Sequence, residues 1–424
     1  MVARGLPVAG AMSRLRRRIR RWSLVSALAF ATVFVLNLTP SGVVGLNGHL
    51  KGQDYVHFYV LGRLAVDGDA SLLYDMQGQA DYLRKAVPGG DLTYFVPVYG
   101  PQVALAFAPF AWFPYLASLA LWLVTTLIAY ALCCMAALRF VPTLKPFRTE
   151  LILLALASPA LWQLLIHGQN SAIALASYTI GWLCLRSGKR VLAGVVFGLL
   201  FYKPQLALAL CGVLLLTGGW KVLSGMALSA SLQLTVAAAY FGQTALVEYV
   251  DMLRRLPALT ALIEPKLHLM HSFKAFLQIV PGLAPAAVAG SLVCSAWLVF
   301  VLARRWATKL DPDLCFVLIL PAAILISPHT SVYDLVILTP ALIVIADRLL
   351  ALQGRARRTE LATCWTLLAL VYLLPAWSTA SLWLHLQPLV PCLAALVVCV
   401  ARLPEASYEE STDLPIDGLT NSTA

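Results

Sequence analysis

The chain has 424 residues, of which 60% are hydrophobic and only 12% charged, and its mean hydropathy is +0.80. That is more apolar side chain than one soluble core can bury, and it recurs in runs that approach the roughly 20 residues needed to cross a bilayer, which excludes a soluble enzyme. The formal charge of +11 sits in short clusters between these runs and not on a polar, aromatic-studded domain, which excludes nucleic acid as a partner and points to membrane topology.

Seven arginines (Arg4, Arg14, Arg16, Arg17, Arg18, Arg20 and Arg21) precede the apolar run Trp22–Val44, and no small-residue cleavage site follows it. The pattern predicts a cytoplasmic basic tail over 1–21 and an uncleaved first helix over 22–44. A polar stretch, Leu46–Asp75, comes next, with two histidines and four carboxylates in an otherwise oily chain. Further spans are predicted over 115–138, 150–166, 171–185, 191–202, 204–218, 222–241, 284–303, 314–327, 335–349, 361–375 and 388–402. The fold class is therefore all-α: a polytopic integral membrane protein of about 12 transmembrane helices within 22–403, with outer loops at about 45–114 and 242–283.

The run Val98–Phe113 contains Pro101 and Pro109 and would invert the sidedness of two basic loops if it crossed, so it reads as a juxtamembrane or re-entrant element. With that choice, 22 of the 31 basic residues fall on the inner side. Lys203-Pro204 interrupts two short halves that could instead form one long tilted helix. The nine cysteines lie in or at the ends of apolar runs and read as packing residues. The acidic segment over 404–424 reads as a disordered cytoplasmic tail.

This topology brings polar residues of separate segments to the outer face: Asp54, His57 and Tyr59, then His167 to Asn170, then Lys203, His268 and His271, and finally Ser327 to Asp334. Ionisable groups at membrane depth are expensive and usually face a cavity. Each has a plainer reading. Asp54 can cap a short helix, His57 can be an exposed loop histidine, and Tyr99-Gly100-Pro101 can be a helix start. Asp67-Gly68-Asp69 is above all a turn. His268 and His271 lack the further ligands of a metal site. Lys203 is different, because a lysine between apolar halves with no acidic neighbour in sequence needs an anion or a cavity.

The motifs Asp54-x-x-x-Phe58-Tyr59, Leu73-Tyr74-Asp75, "VYGPQVALAFAPFAWFP" with Trp122, "HGQNSAIAL", "LAGVVFGLLFYKPQLAL" and "SPHTSVYDLVILTP" occur in this order over about residues 50–350. Together they resemble glycosyltransferase family 87, a family of the GT-C class whose known members are polyprenyl-phosphate-mannose-dependent mannosyltransferases. The resemblance implies a polyprenyl-phosphate sugar donor, mannose by family habit, a glycolipid or glycan acceptor, and a site on the periplasmic side of the inner (plasma) membrane. It implies Asp54 as catalytic base, and it matches Gln169 and Asn170 to the family's Gly-Gln-x-Asn hairpin and Lys203 to its lysine. Where a Trp and a His pair are common in the mannosyltransferases, Tyr333 and Asp334 stand here, with His329 shifted earlier, which leaves the sugar and acceptor open.

The chemistry asks for the same residue types: a base for the acceptor hydroxyl and a cation for the departing phosphate. Lys203 with Arg63 as helper would meet the phosphate, and His329 and Tyr333 would line the sugar pocket; His57, Tyr59, Tyr99, Gln169, Asn170 and Asp334 are further substrate-binding candidates. A monophosphate donor requires no metal and no cofactor. The alternative is a transporter or flippase of a lipid-linked sugar, which would show interrupted helices in matching halves.

Overall fold

Lipid offers the backbone no hydrogen-bond partner, so a chain this apolar satisfies its own amides in helices. The computed structural model describes residues 6–89, 95–263, 266–308 and 312–404. Among these there is no β-strand, only the isolated bridges Val44–Leu50 and Met270–Ser331. The helices are, in order, α1 (Leu6–Leu38), α2 (Tyr55–Asp67), α3 (Met76–Ala86), α4 (Pro101–Ala111), α5 (Tyr115–Arg139), α6 (Arg148–Leu156) and α7 (Pro159–His167). They continue as α8 (Ser171–Arg186), α9 (Arg190–Phe197), α10 (Leu208–Thr217), α11 (Trp220–Phe241), α12 (Gln243–Ile263) and α13 (Phe273–Ile279). The last six are α14 (Ala287–Thr308), α15 (Pro312–Ile326), α16 (Leu338–Ala351), α17 (Arg358–Leu373), α18 (Ser381–Leu384) and α19 (Leu389–Arg402).

Six segments are long and apolar enough to cross a bilayer unaided: Met12–Leu38, Tyr115–Arg139, Lys145–His167, Trp220–Phe241, Ala284–Ala307 and Arg358–Leu384. The protein is thus a multi-pass membrane protein, but several of the twelve expected spans are helices too short to cross by themselves. α16 has 14 residues and α15 has 15, rising roughly 21 to 23 Å against a hydrocarbon core of about 30 Å. Short helices survive here because protein surrounds them: every α15 residue from Leu314 to Leu325 is buried.

The interruption at Lys203 is a hairpin and not one tilted helix. α9 runs parallel to α11, since a side chain at Gly194 would collide with Val222 and one at Gly198 with Ser229 and the Met226 carbonyl. Thr217 nevertheless ends beside Trp220, so the chain turns back between Tyr202 and Pro204. Pro204 disfavours a helical conformation in the residue before it, and Lys203 adopts φ −135° and ψ 73°. The tip stands partway along α11, where Gln233 Nε2 donates to the Gly198 carbonyl at 3.0 Å.

The expected outer loops are more ordered than their polarity suggested. α2 is buried at ten of its thirteen positions, with Tyr55 stacked on Trp122 (6.3 Å) and Phe58 on Phe107 (4.8 Å), so Phe107 of α4 and Trp122 of α5 both cover it. Within 242–283, α12 is a helix of 21 residues. The N-terminal segment is no free tail either: it is helical from Leu6, and Arg16 and Arg20 both donate to Glu150 Oε1, at 2.8 and 2.9 Å. From residue 405 the acidic tail lies outside the described residues.

Candidate active site

Asp54 stands at the N-terminus of α2 but does not cap it: its backbone is helical (φ −73°, ψ −18°) and its carboxylate makes no capping bond. Oδ2 instead accepts from Gln169 Nε2 at 2.8 Å, across 115 positions of sequence. Gln169 lies in the tight turn between α7 and α8, which Gly168 makes possible. Gly168 has φ +60°, and a Cβ there would come within 2.6 Å of the Tyr55 Cβ, so only glycine lets the turn approach α2. The Trp122 indole donates to the Gly168 carbonyl at 3.0 Å and fixes the approach.

From Gln169 the polar groups continue without a gap. Gln169 Oε1 accepts from the Asn170 amide N–H at 3.2 Å, and Ser171, the first residue of α8, donates its hydroxyl to Asp334 Oδ1 at 2.5 Å. Lys203 Nζ reaches the same oxygen at 3.1 Å, and Asp334 Oδ2 accepts from the Ser331 N–H at 3.0 Å. Lys203 also lies over the Tyr333 ring, 5.3 Å from its centroid. Tyr99 is near enough to feel the charges of Lys203, Asp334 and Asp54, and burial holds its phenol above the usual range. Asn170 is fully buried, and among the described residues its side-chain amide has only the nearby Tyr99 phenol to interact with. A buried amide with donor and acceptor capacity to spare suits a polar ligand, because a buried hydrogen bond left unmade costs about 1–3 kcal/mol.

Seven expected residues therefore converge from five segments: Asp54, Tyr99, Gln169, Asn170, Lys203, Tyr333 and Asp334. Lys203 is not the lone cation its sequence neighbourhood suggested. It is 4% exposed and its anion is Asp334, 131 positions away, which no local pattern reveals. Asp334 in turn has three donors on its carboxylate and closes a capping box with Ser331, so it organises the loop as well as pairing the lysine.

Of the other expected residues, Arg63 and Tyr59 have their partners elsewhere. Arg63 is about 13 Å along α2 from Asp54, pairs with Asp67 at 2.8 Å, and is not beside Lys203. Tyr59 packs on the Tyr115 ring (5.3 Å) and donates to the Phe113 carbonyl at 3.2 Å. His57, readable in sequence either as a pocket residue or as an exposed loop histidine, is buried. Its ring lies 5.1 Å from Phe95 and 5.6 Å from Tyr99, and burial lowers its pKa to about 4. His329 is half-buried in the loop before Tyr333, its carbonyl accepting from Ser327 Oγ at 3.1 Å.

Ser171 escaped the expected set, and His271 was placed with the outer-face polar residues but given no role. Ser171 is hidden in sequence because a serine after a turn looks like any helix start. His271 is fully buried and senses Asp334, and its N–H donates to the Thr330 carbonyl at 3.0 Å, tying the α12–α13 connection to the 327–334 loop. Burial brings its pKa down to about 3. Its place in the sequence, three residues after His268, suggested only an incomplete metal pair. Among the described residues no three His, Cys, Asp or Glu side chains converge as metal ligands.

The model of glycosyltransferase family 87 matches residues 97–328, which include Tyr99, Gln169, Asn170 and Lys203 and exclude Asp54, Tyr333 and Asp334. No curated protein and no solved structure matches the chain. The family match spans more than half of a chain whose helices already require a bilayer, and the protein belongs to glycosyltransferase family 87, a membrane glycosyltransferase acting on a sugar donor and an acceptor.

Proposed function

We propose that the protein transfers a sugar, mannose by the habit of its family, from a polyprenyl-phosphate donor to a hydroxyl of a glycolipid or glycan acceptor. The site would face the extracytoplasmic side of the plasma or inner membrane, in a GT-C-type bundle, with Asp54 as general base. The observation that carries this reading is the Asp54 carboxylate: half-buried, free of any capping role, and oriented by Gln169 through Oδ2. In the transfer, the acceptor oxygen bonds to the anomeric carbon as its proton passes to Asp54. The bond from that carbon to the phosphate oxygen breaks, and the polyprenyl phosphate leaves with the electron pair. Lys203 has three ammonium protons and directs one to Asp334, so two remain for a phosphate. Asn170 and Tyr99 would bond the sugar hydroxyls. No mechanical role is assigned to Arg63 or Tyr59, whose partners lie elsewhere.

The test is transfer by purified enzyme from a polyprenyl-phosphate sugar to a lipid acceptor. Asp54→Asn keeps the Gln169 contact possible and should lower kcat about 100-fold or more, the usual worth of a general base. Undiminished transfer by a well-folded Asp54→Asn protein would overturn the base assignment. A flippase would move the lipid-linked sugar without forming product, so product formation in detergent, where there are no two sides, separates the readings.

A further inference from the structure

At the end of α9 opposite Lys203, the parallel packing of α9 on α11 brings two helix N-termini side by side. The crossing is close because both contact positions are glycine: a Cβ on Gly225 would collide with the Val191 carbonyl, and one on Gly194 with that of Val222. Lys189, Arg190 and Lys221 therefore converge on one open cavity of about 620 Å³, lined also by Gly188, Val191 and Leu192. No carboxylate lines it, and neither helix carries an acidic residue in its first turn. None of the three cations has an acidic partner among the described residues, whereas Arg16, Arg20 and Arg186 on other elements do. Two positive helix-dipole ends add to the same field.

The apolar rim decides what kind of anion fits. Val191 (48% exposed), Leu192 (47%) and Trp220 (64%) stand uncovered around the cations. Trp220 opens a bilayer-crossing segment, so in the membrane these side chains meet acyl chains, and a lipid can set its phosphate on the cations while its chains run along the same apolar surface. We propose that this cavity is a binding site for the headgroup of an anionic phospholipid, distinct from the polyprenyl-phosphate site at the other end of the hairpin. Because α9 leads directly to the Lys203 turn, an occupied cavity braces the arm that carries the active-site lysine.

The experiment is native mass spectrometry of the full chain released from mixed micelles of phosphatidylglycerol and phosphatidylcholine. The wild type should retain phosphatidylglycerol in preference. K189Q/R190Q/K221Q should lose that preference by about fivefold per cation, since each basic residue near an anionic surface is worth about 1 kcal/mol. The control R14Q/R17Q/R18Q, which removes three exposed charges elsewhere, should retain it. Equal loss in both triple variants, or none in the first, overturns the site. Displacement of the lipid by an equal concentration of glycerol phosphate overturns the lipid assignment in favour of a soluble phosphate. K221Q alone, expected to lose about fivefold, serves as the second variant if the triple one folds poorly, and unchanged retention there also overturns the proposal.

Discussion

Lys203 and Asp334 are both nearly inaccessible, at 4% and 1% exposure, and they pair with each other at 3.1 Å. Removing one partner of a buried pair typically costs about 3–5 kcal/mol, because the survivor keeps its desolvation penalty without its attraction. Asp334→Asn is therefore expected to lower thermal stability in detergent sharply. The double variant Lys203→Met/Asp334→Leu should recover much of that stability while remaining inactive. A double variant as unstable as Asp334→Asn would show that the loop, and not the charge pair, dominates. Lys203→Ala should also weaken use of the lipid-phosphate donor, read as a raised KM for donor with the acceptor KM little changed. These positions were conspicuous in sequence because a lysine, an amide pair and an aspartate interrupt apolar runs. What was hidden is pairing. Asp54 with Gln169 and Lys203 with Asp334 are more than 100 positions apart, and nothing local distinguishes Arg63, committed to Asp67, from a cation free for substrate.

At the scale of elements, two glycine contacts hold the site in place. Gly168→Ala forces a Cβ onto Tyr55 and a side chain into a left-handed conformation that costs about 1 kcal/mol or more. It should reduce activity more than stability, because it moves Gln169 away from Asp54; unchanged kcat would sink that link. Gly194→Val is harsher, since its collisions are with the backbone of α11, and a large drop in yield or Tm is expected. The hairpin was half legible: Pro204 marked a break, but parallel packing of α9 on α11 decided that the chain reverses. α12 was missed as a long helix because Glu248, Asp251, Arg254, Arg255 and Pro257 give it the polarity of a loop. The six full-length spans stood out because lipid permits little but long apolar helices.

For the whole molecule, acid should loosen α2 and the α12–α13 connection before the spans. Burial lowers the pKa of His57 to about 4 and of His271 to about 3, against an ordinary value of 6.5. The unfolded chain thus binds protons that the folded one refuses. Stability is fully present above pH ~6.5 and falls progressively as the pH drops towards 4 and 3. His57→Gln should flatten the upper part of that decline in a Tm-against-pH series; an identical slope would show that His57 does not contribute. A helical, multi-pass membrane protein followed from the sequence alone, because hydropathy and charge asymmetry act over short windows and lipid admits few alternatives. The candidate polar residues were also visible in the sequence, Lys203 as a break in an apolar run and Asp54 within the polar stretch after the first span. Only the tertiary structure decided which of them meet, which helices are shielded short ones, and which cations remain unpaired, because those outcomes depend on contacts between segments that sequence proximity does not encode.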